Sequence, residues 1–114
     1  MDIGIDIVNI KRIKKILERY GDRFFNKIFS NEEVELFKKR KTAYESIAGR
    51  FAAKEAFMKA KGKYLSWRDI KILQSMGRPY IDYHGRIYNG LSISHERDYA
   101  VAMVVIDEGN ERAV

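Results

Sequence analysis

No cysteine occurs in the 114 residues, which excludes disulfides, thiolate metal sites and thiol nucleophiles together. One proline among eight glycines is too little for a linker-rich or low-complexity chain. No apolar stretch approaches the roughly 20 residues that span a bilayer. The opening MDIGIDIVNI lacks the basic leader, long apolar run and small-residue cleavage site of a secretory signal. These gaps predict a cytoplasmic protein that makes no use of a membrane. Also missing are a Walker loop, a GxGxxG turn after a strand, an HExxH helix and a nucleophile elbow, so no single motif announces a chemistry.

What is present is charge on an otherwise ordinary globular composition. Hydrophobic residues make up 46%, enough for one modest core, and the length suits a single domain over residues 1–114. Lys and Arg number 22 against 16 Asp and Glu, a net +6, which predicts an anionic partner. Nucleic acid, a phosphate-bearing cofactor and an acidic protein all answer to the same field.

Ile3, Ile5 and Ile7 alternate with Gly4 and Asp6, predicting a strand whose isoleucines are buried and whose Asp6 points the other way. After Asn9, a suitable N-cap, Ile10, Ile13, Ile16, Leu17 and Tyr20 recur at helical spacing, with Lys11, Arg12, Lys14, Lys15 and Arg19 on other faces. Gly21 suits the end of this helix. Ser30 and Glu33 form a capping-box pair ahead of a short helix to about Lys39. Thr42 to Lys61, rich in Ala and stopped by Gly62, reads as the longest helix. Beyond it, strands are expected at Asp69–Leu73, Tyr80–Tyr83, Leu91–Ser94 and Tyr99–Ile106, with a turn at Gly77, Arg78 and Pro79 and a frayed tail GNERAV. One strand, then helices, then a small antiparallel meander makes an α+β domain.

On the long helix Ile47, Phe51 and Met58 share a stripe, and Glu55 falls about 40° from Phe51, at its edge. A carboxylate placed there needs a cation. That cation is either Lys59, one turn on in the favourable Glu-to-Lys order, or a metal. Arg50, Lys54 and Lys61 cluster within about 40° on a neighbouring face, either as a solvated strip or as an anion site. Asp6 reads as a strand-end acid or a metal ligand, His95 as a turn residue or a ligand contact.

Taken together these segments resemble the holo-acyl-carrier-protein synthase family of phosphopantetheinyl transferases. GIDIVNIKRI resembles the family's opening strand and basic helix, and AGRFAAKEAFMKAKG its most diagnostic block. SWRDIKI, GRPYI and LSISHERDYAVAMVVI follow in the family's order. The loop Lys63–Leu65 is shorter than the Gly-containing loop that members often carry. The resemblance implies transfer of phosphopantetheine from coenzyme A to a serine of an acidic acyl carrier protein, in fatty acid biosynthesis. It implies Asp6 and Glu55 as catalytic ligands of Mg2+, with Lys59 at the phosphates or leaving group. Arg50, Lys54, Gly62, Pro79, Ser94 and His95 would hold the cofactor. The group that deprotonates the serine is left open between Glu55 and a metal-bound water. Members form homotrimers with active sites between subunits, which would set Asp6 and Glu55 of one chain opposite the GRP turn and SISH segment of another. The alternating row Tyr99, Val101, Met103 and Val105 on the apolar faces of the C-terminal strands is then the expected trimer surface, and Lys11, Arg12, Lys15 and Arg19 the carrier-docking face.

Two rival classes remain. A nucleic-acid module on the Lys11–Arg19 helix accounts for the charge but not for Glu55 within a basic helix, and RNP-like aromatics are missing. A structural protein with a solvated basic surface accounts for neither Asp6 nor Glu55. The expectation is therefore that no nucleic acid is bound.

Overall fold

A computed structural model describes residues 1–40, 43–107 and 111–113. The chain opens with strand β1 (Asp2–Asn9) and four helices, α1 (Ile10–Tyr20), α2 (Asp22–Ile28), α3 (Asn31–Arg40) and α4 (Tyr44–Lys61). A 3-10 turn over Trp67–Asp69 leads into β2 (Ile70–Ser75), β3 (Arg78–Tyr83), β4 (Arg86–Tyr88), β5 (Leu91–Glu96), β6 (Tyr99–Ile106) and β7 (Glu111–Ala113). Local chemistry accounts for most boundaries. Asn9 Oδ1 accepts from the Arg12 amide at 3.1 Å and caps α1. The Ser30–Glu33 capping box forms, with Ser30 N to Glu33 Oε1 at 3.0 Å and Glu33 N to Ser30 Oγ at 3.2 Å. Gly62 ends α4 at φ 72°, a left-handed cap that glycine adopts without a Cβ penalty. Thr42, the expected first residue of α4, lies outside the described residues.

Instead of one meander, the strands form two antiparallel sheets, ordered β1-β6-β5 and β2-β3-β4-β7. The N-terminal strand crosses to the far end of the chain, pairing Ile3 with Val105 and Ile7 with Val101. Two local expectations are corrected. The β2–β3 turn is Met76–Gly77, both at positive φ, between paired Ser75 and Arg78. Pro79 therefore stands within β3, beyond the last β3–β4 pair, Ile81 with Tyr88, where its missing N–H costs no ladder bond. Of the supposed frayed tail, residues 111–113 pair with β4, while 109, 110 and 114 lie outside the described residues.

The faces of β1 are inverted relative to the alternation's simplest reading. Gly4, Asp6 and Val8 are buried, while Ile3, Ile5 and Ile7 are 60%, 57% and 62% exposed. The reason is close packing on α4. Ala48, Ala52, Ala53, Ala56 and Ala60 give that helix a low-relief buried surface, and Gly4 lies so near it that a Cβ would collide with the Ala56 carbonyl oxygen. A strand pressed this tightly can turn only small or short side chains inward.

Lys54 does not join a cationic surface strip. It is fully buried with Glu33, Nζ to Oε1 at 2.7 Å, and Glu33 Oε2 also accepts the Ile72 amide at 3.1 Å. Burial pulls the Lys54 pKa down to about 8 although Glu33 raises it.

Candidate active site

β1 carries Asp6 inward onto α4, and one turn near the end of α4 presents Glu55 and Lys59 to it. Lys59 Nζ donates to Asp6 Oδ1 and to the Ile5 carbonyl, each at 3.0 Å, so Lys59 pairs with Asp6 rather than with Glu55. Asp6 Oδ2 is buried without a hydrogen-bond partner. The Glu55 carboxyl is pushed up to about 7, first by burial and then by the Asp6 carboxylate, against the opposing pull of Lys59 and Arg12. Two carboxylates this close share a proton or a cation, and a proton on Glu55 would give Oδ2 its partner.

That arrangement fits a divalent metal. The donor set is hard oxygen, one oxygen is orphaned, and Glu55 holds its charge only at a cost that a cation would remove. Among the described residues no three His, Cys, Asp or Glu side chains converge. An ion held here would therefore complete its shell from substrate and water, as magnesium does at phosphate sites.

Glu55 and Lys59 open into a cleft of ≈ 450 Å³ with Met58, Gly62, Lys63, Tyr64 and Trp67. Gly62 lines the same cleft. Lys63, Tyr64 and Trp67 were not anticipated, although their place directly after Gly62 in a short loop was a usable signal. Lys54 is corrected. All three Lys54 ammonium donors are engaged internally, with Glu33, the Ile28 carbonyl at 2.8 Å and the Trp67 carbonyl at 3.0 Å, so no donor is left for an anion. Arg50 lies about 140° around the helix from Glu55, where it donates to the Ile72 carbonyl at 2.7 Å and covers the Phe37 ring.

Ser94 and His95 line a separate groove of ≈ 430 Å³ with Glu96, Arg97, Asp98, Tyr99 and Val101. Ser94 is paired with Val101, which is paired with Ile7, so it faces away from Asp6 across the sheet. Pro79 is in the other sheet. One chain therefore does not gather Ser94 and Pro79 into the Asp6–Glu55 cleft, and His95, paired through Ala100 to Val8 on the Asp6 face of the sheet, lines the separate groove. Lys11, Arg12, Lys15 and Arg19 are exposed along α1, with Lys11 3.9 Å from Asp98. Arg12 is near enough to Glu55 to lower its pKa.

An α+β fold with a carboxylate pair and a flanking lysine beside an open cleft is suited to a cation and a phosphate-bearing ligand. The family model of the 4'-phosphopantetheinyl transferase superfamily matches residues 2–104. The chain is 42% identical to the holo-[acyl-carrier-protein] synthase of Halothermothrix orenii, over 94% of this chain and 97% of that protein. It is 43% identical to the synthase of Chlamydia felis, over 90% and 93%. The Neisseria meningitidis synthase structure superposes with a TM-score of 0.83 at 34% identity, covering 94% of this chain and 98% of that one. The Helicobacter pylori synthase, solved in complex with coenzyme A, superposes with a TM-score of 0.80 at 37% identity, over 92% and 99%. This chain belongs to the 4'-phosphopantetheinyl transferase superfamily, in its holo-[acyl-carrier-protein] synthase branch, and is an enzyme.

Proposed function

We propose that this enzyme transfers 4'-phosphopantetheine from coenzyme A to a serine of an acidic apo-acyl carrier protein, releasing adenosine 3',5'-bisphosphate, in fatty acid biosynthesis. The observation that carries this reading is the pairing of buried Asp6 with half-buried Glu55, with its orphaned Asp6 Oδ2 and raised Glu55 carboxyl. The coenzyme A held by the Helicobacter pylori relative supports the donor.

Asp6 and Glu55 would hold Mg2+, which when bound offsets the charge of the pyrophosphate and of the departing nucleotide. Lys59, with its side chain 56% exposed beside Asp6, would reach the phosphates and stabilise the same charge from a second direction. The serine oxygen forms a bond to the phosphorus bearing pantetheine. The bond from that phosphorus to the bridging oxygen breaks, and its electron pair leaves with adenosine 3',5'-bisphosphate. The serine proton passes to Glu55 or to water.

The active unit in this proposal is a homotrimer. Ile3, Ile5 and Ile7 stand outward beside Val101, Met103 and Val105, an apolar row that a second copy of the sheet could bury. Such packing would set the Ser94–His95 groove and Pro79 of one subunit against the Asp6–Glu55 cleft of another. The exposed basic face of α1, beside Asp6, would receive the acidic carrier.

Calorimetric titration of coenzyme A with and without magnesium tests the core of the reading. Magnesium should tighten binding to the native protein, and Asp6→Ala should lose that dependence and the transfer while keeping its fold. Magnesium-independent binding together with near-native turnover of Asp6→Ala would show that the metal assignment is wrong.

A further inference from the structure

Lys54 directly precedes Glu55 yet points into the interior, where its three donors hold three different parts of the chain. One is the carbonyl of Ile28 at the end of α2, one is Glu33 in the first turn of α3, and one is the carbonyl of Trp67 in the 3-10 turn. Glu33 meanwhile closes the capping box and accepts the Ile72 amide of β2. The Trp67 ring stacks on Phe51 of α4, centroids 5.0 Å apart and planes at 16°. The same tryptophan lines the cleft that contains Glu55 and Lys59. An apolar side chain of similar volume could fill the interior equally well. Only a group with several donors could also tie down the Trp67 backbone.

We propose that Lys54 is a positioning residue for the active site: with Glu33 it fixes the Trp67 wall of the cleft, and so the seating of coenzyme A against Glu55 and Lys59. The inference rests on the functional reading above. Lys54 touches no substrate, and it acts through Trp67. The 3-10 turn keeps a second anchor without it, because Arg68 donates to the Asn26 carbonyl at 3.2 Å and to Asn31 Oδ1 at 2.9 Å. The wall should therefore shift rather than unfold when Lys54 is changed.

The test is the double variant Glu33→Gln/Lys54→Met, in which Gln Oε1 still accepts the Ser30 amide of the capping box, only the Ile72 amide loses its acceptor, and Met fills the lysine's path. Trp67 is the sole tryptophan, so its fluorescence reports the wall directly. The expected result is a folded protein with shifted Trp67 emission, a KM for coenzyme A raised about tenfold and a KM for carrier protein essentially unchanged. A folded double variant with native emission and native KM for coenzyme A overturns the proposal. Should that variant fail to fold, the half-buried Trp67→Ala decides. It should raise the KM for coenzyme A alone, and an unchanged KM overturns the proposal because the wall then has no part in binding. If the native protein binds no coenzyme A, the functional reading fails, whereas the emission shift still reports whether Lys54 sets the wall.

Discussion

Replacing Glu55 by Gln should make the metal-free protein more stable at pH 8 while abolishing transfer. The folded Glu55 pKa stands at about 7 against 4.5 for the free side chain. The native state therefore holds a proton that the unfolded chain releases between these values. Stability from this group is fully present below about 4.5 and is lost as the pH rises through about 7. The full shift would be worth roughly 3 kcal/mol. Glu55 is partly open to solvent, and screening reduces that to roughly 1–2 kcal/mol. The substituted glutamine carries no charge at any pH. The variant should recover that amount at pH 8 and much less at pH 5, where native Glu55 is already protonated. The assay is urea unfolding at both pH values, at one protein concentration, with and without magnesium, and a rise of roughly 4–8 °C in Tm at pH 8 should accompany it. Magnesium should stabilise the native protein and not the variant. Equal or lower stability of Glu55→Gln at both pH values would refute the reasoning, because Lys59 and Arg12 would then be sufficient partners for an ionised Glu55.

Other consequences are equally open to measurement. Ile5→Asp puts a charge in the outward apolar row and should convert about three chains into one by sedimentation, with loss of transfer; a monomer with native activity would rule out sites shared between subunits. Arg12→Glu/Lys15→Glu should raise the KM for carrier protein and flatten its salt dependence while coenzyme A affinity changes little. An unchanged carrier KM would move docking off α1. Gly4→Ala must push β1 off the Ala56 carbonyl and should cost about 2 kcal/mol or more in chemical denaturation; a native midpoint would mean that the strand has room to give.

Much of the local structure was readable from short-range chemistry. The Asn9 cap, the Ser30–Glu33 capping box and the Gly62 stop involve groups within four residues of one another, so the residue types alone carry them. α2 escaped notice because seven residues between Gly21 and Phe29 are too few to set up a helical period. β4, with three residues, is shorter still. Asp6, Glu55 and Lys59 were assigned their roles on a resemblance; from the residues themselves, Glu55 read first as half of a helical ion pair with Lys59.

The sequence by itself determined periodicity, caps, the order of the longer elements and the α+β class, since each depends on neighbours along the chain. Only the tertiary structure decided which face of each element is inside. Ile3, Ile5 and Ile7 alternate as a buried face would, yet they are exposed because Gly4 allows β1 to press against the alanines of α4 and takes Asp6 inward with it. Lys54 belonged to a basic strip by its angle on the helix, yet it is buried because Glu33, 21 residues earlier, meets it in the core. Alternation and helical angle specify that two faces differ; the partner that covers one of them comes from distant chain, and packing against that partner settles the rest.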